Sequence, residues 1–466
     1  MAVIIDGSNT PTAGGIGYGD GTELAFSAAG TAGEVLTSAG VGTPTWSIGT
    51  VTLLANSAAP YYTGGAYTWT ITNYDSASTY TVTTTNGTVS QASGTVTYTP
   101  STGGAGGFVI NGRTISVTVT AFPTIAGGTS AVFTSGQIAG ILSVAKLTTT
   151  TAVILYNSYT NNNIYAVVAS IAGTTVTYGT AVVVRSNFSP QQASVCALSS
   201  TLCLVGYETT ASNHFGAKTL SISGTTITVN AEVTNGIVST GIVMCPLTST
   251  TALAMYYSSL VVISVAGTVP SFGTAVSTGL AANYKSISQL SSTKAIILYD
   301  GTSSYPTANV VSVGGTTVTI GSPLVIQSVA TGQLTSVIAL SDTTAVAEVT
   351  GASSILQLVP LTISGTTVTA GSISSLTAAN ANSAPQAAAY ISGSTAVGLY
   401  PETSSGAGVA VVAIYGSSTL ATGSVTTVVA GTTIGRMTGV YLDTNKVFCV
   451  FNTSTTSASG CVLTVS

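Results

Sequence analysis

The sequence predicts an all-β protein, on two observations. A ten-residue pattern opening at Leu147, Leu-Thr-Thr-Thr-Thr-Ala-Val-Ile-Leu-Tyr156, returns at Leu198, Leu247, Leu290, Leu340, Ile391 and Leu442. Ahead of it, from about Val51 to Ala121, large and hydroxyl side chains alternate with period two, the mark of strands with one buried face. A period of roughly fifty residues with several strands in each repeat is the sequence form of a β-propeller, one blade per repeat. The expected order is an extended N-terminal arm over 1–47, an immunoglobulin-like β-sandwich over 48–122, and a seven-bladed β-propeller over 123–466 closed by its own N-terminal strand.

Composition narrows the function. With 45% hydrophobic residues in a chain of 466, large cores are available, while charged residues are 4% against a usual quarter. The surface is therefore expected to be rich in hydroxyls rather than ions. Eight Lys plus Arg and a net charge of −4 give no basic field for phosphate backbones or anionic lipid, so neither nucleic acid nor membrane surface is an expected partner. Gly, Ser or Thr interrupts every long apolar run, so no membrane-spanning helix is expected. An outer-membrane barrel is the competing β architecture; the repeat period and the single tyrosine column argue against it. The opening Met-Ala-Val-Ile-Ile-Asp has no basic region ahead of an apolar one, so no secretory signal is expected.

Residues 1–47 are dense in Gly, Ala and Thr and too poor in apolar runs to build a core. Within them, Gly30-Thr-Ala-Gly-Glu-Val-Leu-Thr-Ser-Ala-Gly-Val-Gly-Thr-Pro-Thr-Trp46 resembles a Gly-x-x-Gly-(Gln/Glu)-Val-Leu-x-Ser-x-Gly…Pro-x-Trp segment that recurs in bacteriophage tail-fibre and other virion proteins. The resemblance implies attachment to other virion proteins through this arm, with Glu34, Val35, Leu36, Pro44 and Trp46 as the docking residues. It also implies a location in the virion and a homo-oligomer, with a trimer the common state of such fibres.

Four segments of the sandwich alternate in period two: Tyr67–Thr72, Thr79–Thr83, Gly94–Thr99 and Thr114–Thr120. Asn86-Gly87 and Asn111-Gly112 supply the positive φ that tight hairpins need. Trp69 is the expected core aromatic, and the module looks similar to the immunoglobulin-like modules inserted in many phage structural proteins.

The propeller repeats define columns. Five residues after each start stand Ala152, Cys203, Ala252, Ala295, Ala345, Ala396 and Val447, which are small, and one further on stand Val153, Leu204, Leu253, Ile296, Val346, Val397 and Phe448. At nine residues stand Tyr156, Tyr207, Tyr256, Tyr299, Val349, Tyr400 and Phe451. Neighbours on a strand face opposite ways, so both faces of each sheet are apolar, as sandwiched blades require. Gly-Thr-Thr turns at Gly173, Gly224, Gly315 and Gly365 open the last strand of a blade. The final repeat stops at Ser466 before such a turn, and Gly127-Gly-Thr-Ser-Ala-Val-Phe133 resembles Tyr178-Gly-Thr-Ala-Val. The N-terminal strand is thus expected to complete the C-terminal blade, leaving no unpaired edge.

Candidate chemistry is sparse. Of the five cysteines, Cys196, Cys203 and Cys245 sit in small-residue columns. Cys196 with Cys203, and Cys449 with Cys461, could each lie opposite one another in a hairpin, but pairing needs a separation and orientation that sequence does not give, and an odd count argues against a disulfide scaffold. No Cys-x-x-Cys spacing suggests a metal, and no cofactor is expected. His214, the single histidine, has Glu208 as its one local carboxylate for a base-and-orienter arrangement; a solvated loop is the simpler reading. Asp342 and Asp443 fall in hairpins after a first strand, whereas Glu348 stands in a strand where other repeats hold Met255, Leu298 and Leu399. Two carboxylates about 5–10 Å apart would be needed for a polysaccharide-degrading enzyme, and catalysis is not expected.

What remains is recognition. Propeller loops vary without disturbing the ring, and Tyr and Asn join flat apolar area to hydrogen bonding. Tyr159, Asn161, Asn162, Asn163, Tyr165, Asn187, Phe188 and Tyr305 are the candidate contacts to a host-surface glycan or protein. The reading that follows is a non-enzymatic tail fibre or similar appendage, with a capsid-decoration protein as the alternative.

Overall fold

The computed structural model describes the backbone of four strands before residue 49 and, from residue 51, all but 57–59, 77, 136–138, 159–160, 187–192, 210–213, 239–240, 280–284, 330–335, 352–354, 381–386, 393, 403–405, 417–418, 431–433 and 454–456. The chain divides into two compact units, Met1–Phe122 and Pro123–Ser466.

In the first unit, Gly17–Gly19 pairs with Leu24–Phe26, and Glu34–Ala39 with Gly42–Ile48. The expected arm therefore contains hairpins, since two short β-prone runs joined by glycine satisfy each other's backbone groups. Beyond residue 50 come two four-stranded sheets. One orders Leu53–Ala55, Tyr67–Ile71, Thr95–Thr99 and Thr88–Ala92; the other orders Tyr61–Tyr62, Arg113–Thr120, Gly104–Ile110 and Val82–Thr84. Alternation turns Tyr67, Trp69, Ile71, Val96 and Tyr98 of one sheet and Phe108 and Ile110 of the other into one core, making a β-sandwich. Trp69 meets Phe108 edge-on at 4.9 Å and stacks on Tyr61 at 5.8 Å.

Asn111-Gly112 forms a two-residue hairpin with φ of 45° and 79°. Asn86-Gly87 does something else: it carries the chain from Val82–Thr84 in one sheet to Thr88–Ala92 in the other. The Asn86 Oδ1 accepts from the Thr102 backbone N–H at 3.0 Å and its Nδ2 donates to the Thr102 carbonyl at 2.7 Å. A residue rich in turn propensity here pins a crossover rather than closing a hairpin.

The second unit comprises, among the described residues, seven five-stranded sheets. In the first, Ala139–Lys146, Thr151–Ser158 and Asn163–Ala172 run antiparallel, and Thr175–Tyr178 and Val182–Arg185 both pair with the third strand as a broken fourth. First strands of successive sheets adjoin each other, and that of the seventh, Ile434–Asp443, adjoins that of the first. In the seventh sheet the broken fourth strand is Ile125–Gly127 and Ala131–Ser135, both paired with Ser457–Val465. Thr124 and Ser466 exchange backbone hydrogen bonds of 2.8 and 2.9 Å.

Packing between sheets follows from the columns. Val153 and Leu155 of the first sheet pack with Cys203, Val205 and Tyr207 of the second, and Leu253 and Met255 of the third with Ala295, Ile297 and Tyr299 of the fourth. Each layer sets the larger column of one sheet against the small and aromatic columns of the next, the volume complementarity that interior density demands. The same layer joins Phe448 and Val450 of the seventh sheet to Ala152, Ile154 and Tyr156 of the first. The column of Tyr156, Tyr207, Tyr256, Tyr299, Val349, Tyr400 and Phe451 is buried on the second strand of each sheet.

Two further devices link neighbours. Where the fourth strand breaks, Gly179, Gly273, Gly321 and Gly128 each donate a backbone hydrogen bond to the third strand, and there the next sheet's Thr-containing turn presses in. A Cβ on Gly179 would lie 2.4 Å from the Thr225 carbonyl oxygen, and one on Gly321 2.3 Å from that of Thr366. On the first strands, whose outer edge has no ladder partner, Ser143 Oγ accepts from Val195 N at 3.1 Å, Ser194 Oγ from Met244 N at 3.2 Å, and Ser286 Oγ from Val337 N at 3.1 Å. Serine thus satisfies edge donors that a sheet otherwise leaves open.

Candidate binding face

The ring has two ends of different character. Turns between first and second strands lie at one end. There the hydroxyl oxygens of Thr148, Ser199, Thr248, Ser291 and Ser341 each accept the N–H of the residue two further on, at 3.1–3.3 Å. Turns between second and third strands lie at the other end, and the two that are described throughout differ. The third sheet has Tyr257-Ser258 alone between paired strands, with Tyr257 exposed and at φ 42°. The fourth inserts Gly301–Tyr305 with a short 3-10 turn.

The described candidate contacts fall at this end. Asn161 and Asn162 lead into the third strand of the first sheet, with Asn162 at φ 52°, and Asn163 opens that strand. Asn161 Nδ2 donates to the Tyr165 hydroxyl at 2.7 Å, and Asn163 Nδ2 does so at 3.4 Å. The Tyr165 ring stacks on Tyr156 at 5.4 Å, and Tyr156 in turn meets Phe133 at 5.3 Å. Tyr165 is therefore a fixed, half-buried platform with asparagine amides around its hydroxyl. Tyr305 is half-buried three sheets away, its carbonyl accepting from Gly301 N at 2.8 Å. Tyr159, Asn187 and Phe188 lie outside the described residues. Glu34, Val35, Leu36, Pro44 and Trp46 lie on the paired strands near the N-terminus, in a register that sets Leu36 against Trp46.

A polar cluster that sequence reading missed bridges the first and second sheets. Arg185 pairs with Glu232 at 2.5 Å, Lys218 Nζ stands 3.9 Å from the same carboxylate, and the Tyr207 hydroxyl donates to it. The Arg185 guanidinium lies 5.9 Å from the Tyr207 ring centre. Burial, then Glu232, push the Tyr207 hydroxyl above its ordinary pKa. In a chain with so few charges, three of them within strand-rich segments of adjoining repeats was the available signal.

Other titratable groups are buried away from this cluster. Glu348 is fully buried with neither oxygen hydrogen-bonded, facing Gly398 of the next sheet, where its Oε1 is 3.2 Å from the place a Cβ would take. Burial raises its pKa to about 8. Nearby, the Tyr400 hydroxyl is also without a partner, and its pKa is raised by burial and then by Glu348. Glu208, in the second sheet, is pushed to about 6 by burial; its strand sets it against Phe215 rather than His214. The His214 backbone instead pairs with Thr209. Lys285 heads a first strand, and burial lowers it to about 8 against the pull of Asp300. Among the described residues no group of three or more His, Cys, Asp and Glu side chains is placed to hold a metal ion.

The cysteine expectations divide. Cys196 pairs in register with Leu204 and Cys203 with Ala197, so Cys196 and Cys203 are offset by one residue and point to opposite faces. They belong to different layers, so the pairing that the hairpin left open for them does not form, and both pack as small core residues. Cys449 and Cys461 are direct cross-strand partners.

No protein-family model matches the chain, and no curated protein matches it. Among solved structures it is similar to a lectin from Burkholderia pseudomallei, at 9% identity over 70% of this chain and 94% of that one, TM-score 0.51. It is also similar to the β-propeller domain of a Myceliophteria thermophila protein (8% identity, 72% and 100% covered, TM-score 0.47) and to a Hadza microbial sialidase (10%, 79% and 75%, TM-score 0.45). At such identities the likeness concerns fold alone, and by fold the chain is an all-β protein carrying a β-propeller.

Proposed function

We propose that this protein is a non-enzymatic structural component of a bacteriophage virion, a tail fibre or similar appendage. Residues 1–47 attach it to other virion proteins, the immunoglobulin-like sandwich over 48–122 is a spacer, and a seven-bladed propeller, closed by its N-terminal strand, binds a host-surface glycan or protein. The observation that carries the binding role is the contrast between the ends of the ring. At one end five described turns share one hydroxyl-bonded form, whereas at the other the two turns described throughout differ in length and conformation, and the first sheet presents Asn161, Asn163 and the Tyr165 platform. Variation confined to one end of a rigid scaffold is how recognition loops are carried. Attachment to the virion rests on the Gly30–Trp46 segment and its resemblance. The mature protein is then a homo-oligomer exposed outside the cell.

The test is adsorption of the labelled full-length protein to a panel of intact bacteria. Saturable binding to a subset of strains, abolished by periodate or protease treatment of the cells, is the expected result. Absence of binding throughout the panel sinks the receptor role. Cross-linking of intact particles then separates appendage from capsid decoration by which virion protein is joined to residues 1–47.

A further inference from the structure

The closing sheet holds a pair of thiols whose placement is unlike that of the other three. Cys449, on Lys446–Thr453, and Cys461, on Ser457–Val465, are directly opposed in an antiparallel ladder. They therefore point to the same face of the sheet. Directly opposed residues in such a ladder have Cα atoms about 4.5–5.5 Å apart, inside the ~4.4–6.8 Å that a disulfide spans. Burial and then the neighbouring Cys461 thiol raise the Cys449 pKa. None of Cys196, Cys203 and Cys245 shares this arrangement: the first two face opposite layers, and Cys245 is set against Leu253 in register.

We propose that Cys449 and Cys461 are a latent disulfide, closed when the chain folds in, or is transferred to, an oxidising medium. The bond joins the second and third strands of the seventh sheet. The third of these, Ser457–Val465, is the strand that receives Ile125–Gly127 and Ala131–Ser135, so the staple fixes the template on which the ring is closed. The oxidant is a low-molecular-weight disulfide such as glutathione disulfide. One cysteine, as thiolate, attacks a sulfur of glutathione disulfide and displaces one glutathione thiolate, leaving a mixed disulfide on the protein. The second cysteine, having lost its proton, attacks the protein-side sulfur and displaces the second glutathione. Two protein thiols are oxidised, two electrons pass to two glutathione molecules, and two protons go to solvent or to the released thiolates.

Both thiols are fully buried, and burial raises the Cys449 pKa well above its ordinary value, so a disulfide in solution has little access to either sulfur and exchange in the folded protein is slow. The exchange is correspondingly fast while the hairpin is still open. The fully reduced full-length protein is treated with oxidised glutathione in two arms, one folded and one refolding from denaturant, and thiols are then counted under denaturing conditions. The refolding arm is expected to fall from the five thiols of the sequence by two, with loss of two hydrogens in mass and one cross-linked peptide joining Cys449 to Cys461. The folded arm reaches the same product more slowly. The urea midpoint of the oxidised form should exceed that of the reduced form. A Cys449→Ala protein should keep all its remaining thiols in both arms. Retention of all five thiols after refolding, a retained glutathione adduct in place of the link, or a link between other cysteines overturns the proposal.

Discussion

The two ends of the propeller unit are built by different rules. At one end the repeat governs most turns: a Ser or Thr hydroxyl caps the turn between first and second strands in the same way at Thr148, Ser199, Thr248, Ser291 and Ser341, while in the seventh sheet the Asp443 carboxylate accepts from Thr444 N instead. The Thr of each Gly-Thr turn, at the same end, packs on the neighbouring sheet's strand break, as at Gly179 and Gly321. At the other end the repeat stops dictating. Columns that are uniform in the middle of the second strand hold Leu155, Gly206, Met255, Leu298, Glu348 and Leu399 one residue before the aromatic position, and Asn157, Glu208, Tyr257 and Asp300 one residue after it. The uniform end carries the Thr124–Ser466 closure and a repeated contact between neighbours; the irregular end carries no shared turn, so its residues differ from sheet to sheet.

That division is broken most forcefully by removing the closing strand. Deletion of residues 124–136 takes both pieces of the seventh sheet's fourth strand and the Thr124–Ser466 backbone bonds. It also uncovers the edge of Ser457–Val465 and the side of Tyr156 that Phe133 covers. A fall in melting temperature of more than about 10 °C is expected, given ~2–4 °C per kcal/mol in domains of a few hundred residues, together with aggregation from the open edge. Unchanged thermal unfolding of the truncated protein would show that the ring does not depend on this strand.

A single atom at the uniform end should come next in size. Gly321→Val places a branched side chain where even a Cβ would sit 2.3 Å from the Thr366 carbonyl oxygen. Backbone has to move, and overpacking of this kind costs about 1–3 kcal/mol. Thr302→Val, at the irregular end of the same sheet and exposed, should cost less than ~0.5 kcal/mol. Equal losses in denaturant unfolding would erase the distinction between the ends.

The buried carboxyl of Glu348 tests how far the irregular end intrudes on the core. Burial raises its pKa from 4.5 to about 8, so the folded protein keeps a proton that the unfolded chain has released between those values. Its contribution to stability is fullest below about pH 4.5, declines as pH rises through the window, and is at its lowest above about pH 8, with a slope of up to ~1.4 kcal/mol per pH unit. Glu348→Gln should flatten that part of the profile. Glu348→Leu, restoring the residue found at Leu298 and Leu399, should be more stable than wild type at pH 8 by a few kcal/mol, since an unpartnered buried charge is removed. A wild-type pH profile that neither substitution alters would show that the carboxyl is solvated.

Much of the architecture was legible because the repeat writes it out several times: the layers, the aromatic column and the match between Gly127–Phe133 and the segment after Tyr178 can all be read by aligning copies. The rest depends on partners contributed by different copies. Ser143 and Val195 are 52 residues apart, and Arg185 and Glu232 are 47 apart; no periodicity says which serine meets which edge N–H or which acid meets which base. Sequence leaves the sense of Cys196 and Cys203 open because a one-residue offset in register, invisible in sequence, reverses a side chain. Asn86-Gly87 was misjudged because turn propensity names a conformation and not which sheet the chain enters next. Candidate contacts such as Asn161 and Tyr165 were readable as irregular, Tyr- and Asn-rich insertions, whereas the Tyr156 stack that holds Tyr165 in place required the structure.

The smallest stability effects carry the sharpest comparison. Thr148→Ala removes the hydroxyl that accepts from Thr150 N at 3.1 Å and meets Thr151 Oγ1 at 2.7 Å, and should cost about 0.5–1 kcal/mol, the worth of a turn-capping hydrogen bond. Asn161→Ala removes an exposed side chain whose bond to Tyr165 is itself exposed, and should change unfolding by less than ~0.5 kcal/mol. Binding to cells should rank the two in the opposite order: Asn161→Ala weakens adsorption at least several-fold, while Thr148→Ala leaves it unchanged. The crossed pattern is what separates a recognition surface from a scaffold, because a merely destabilised protein loses binding and stability together. Loss of adsorption in Thr148→Ala with retention in Asn161→Ala would move the binding surface to the uniform end, where a ligand would meet the same turn several times over.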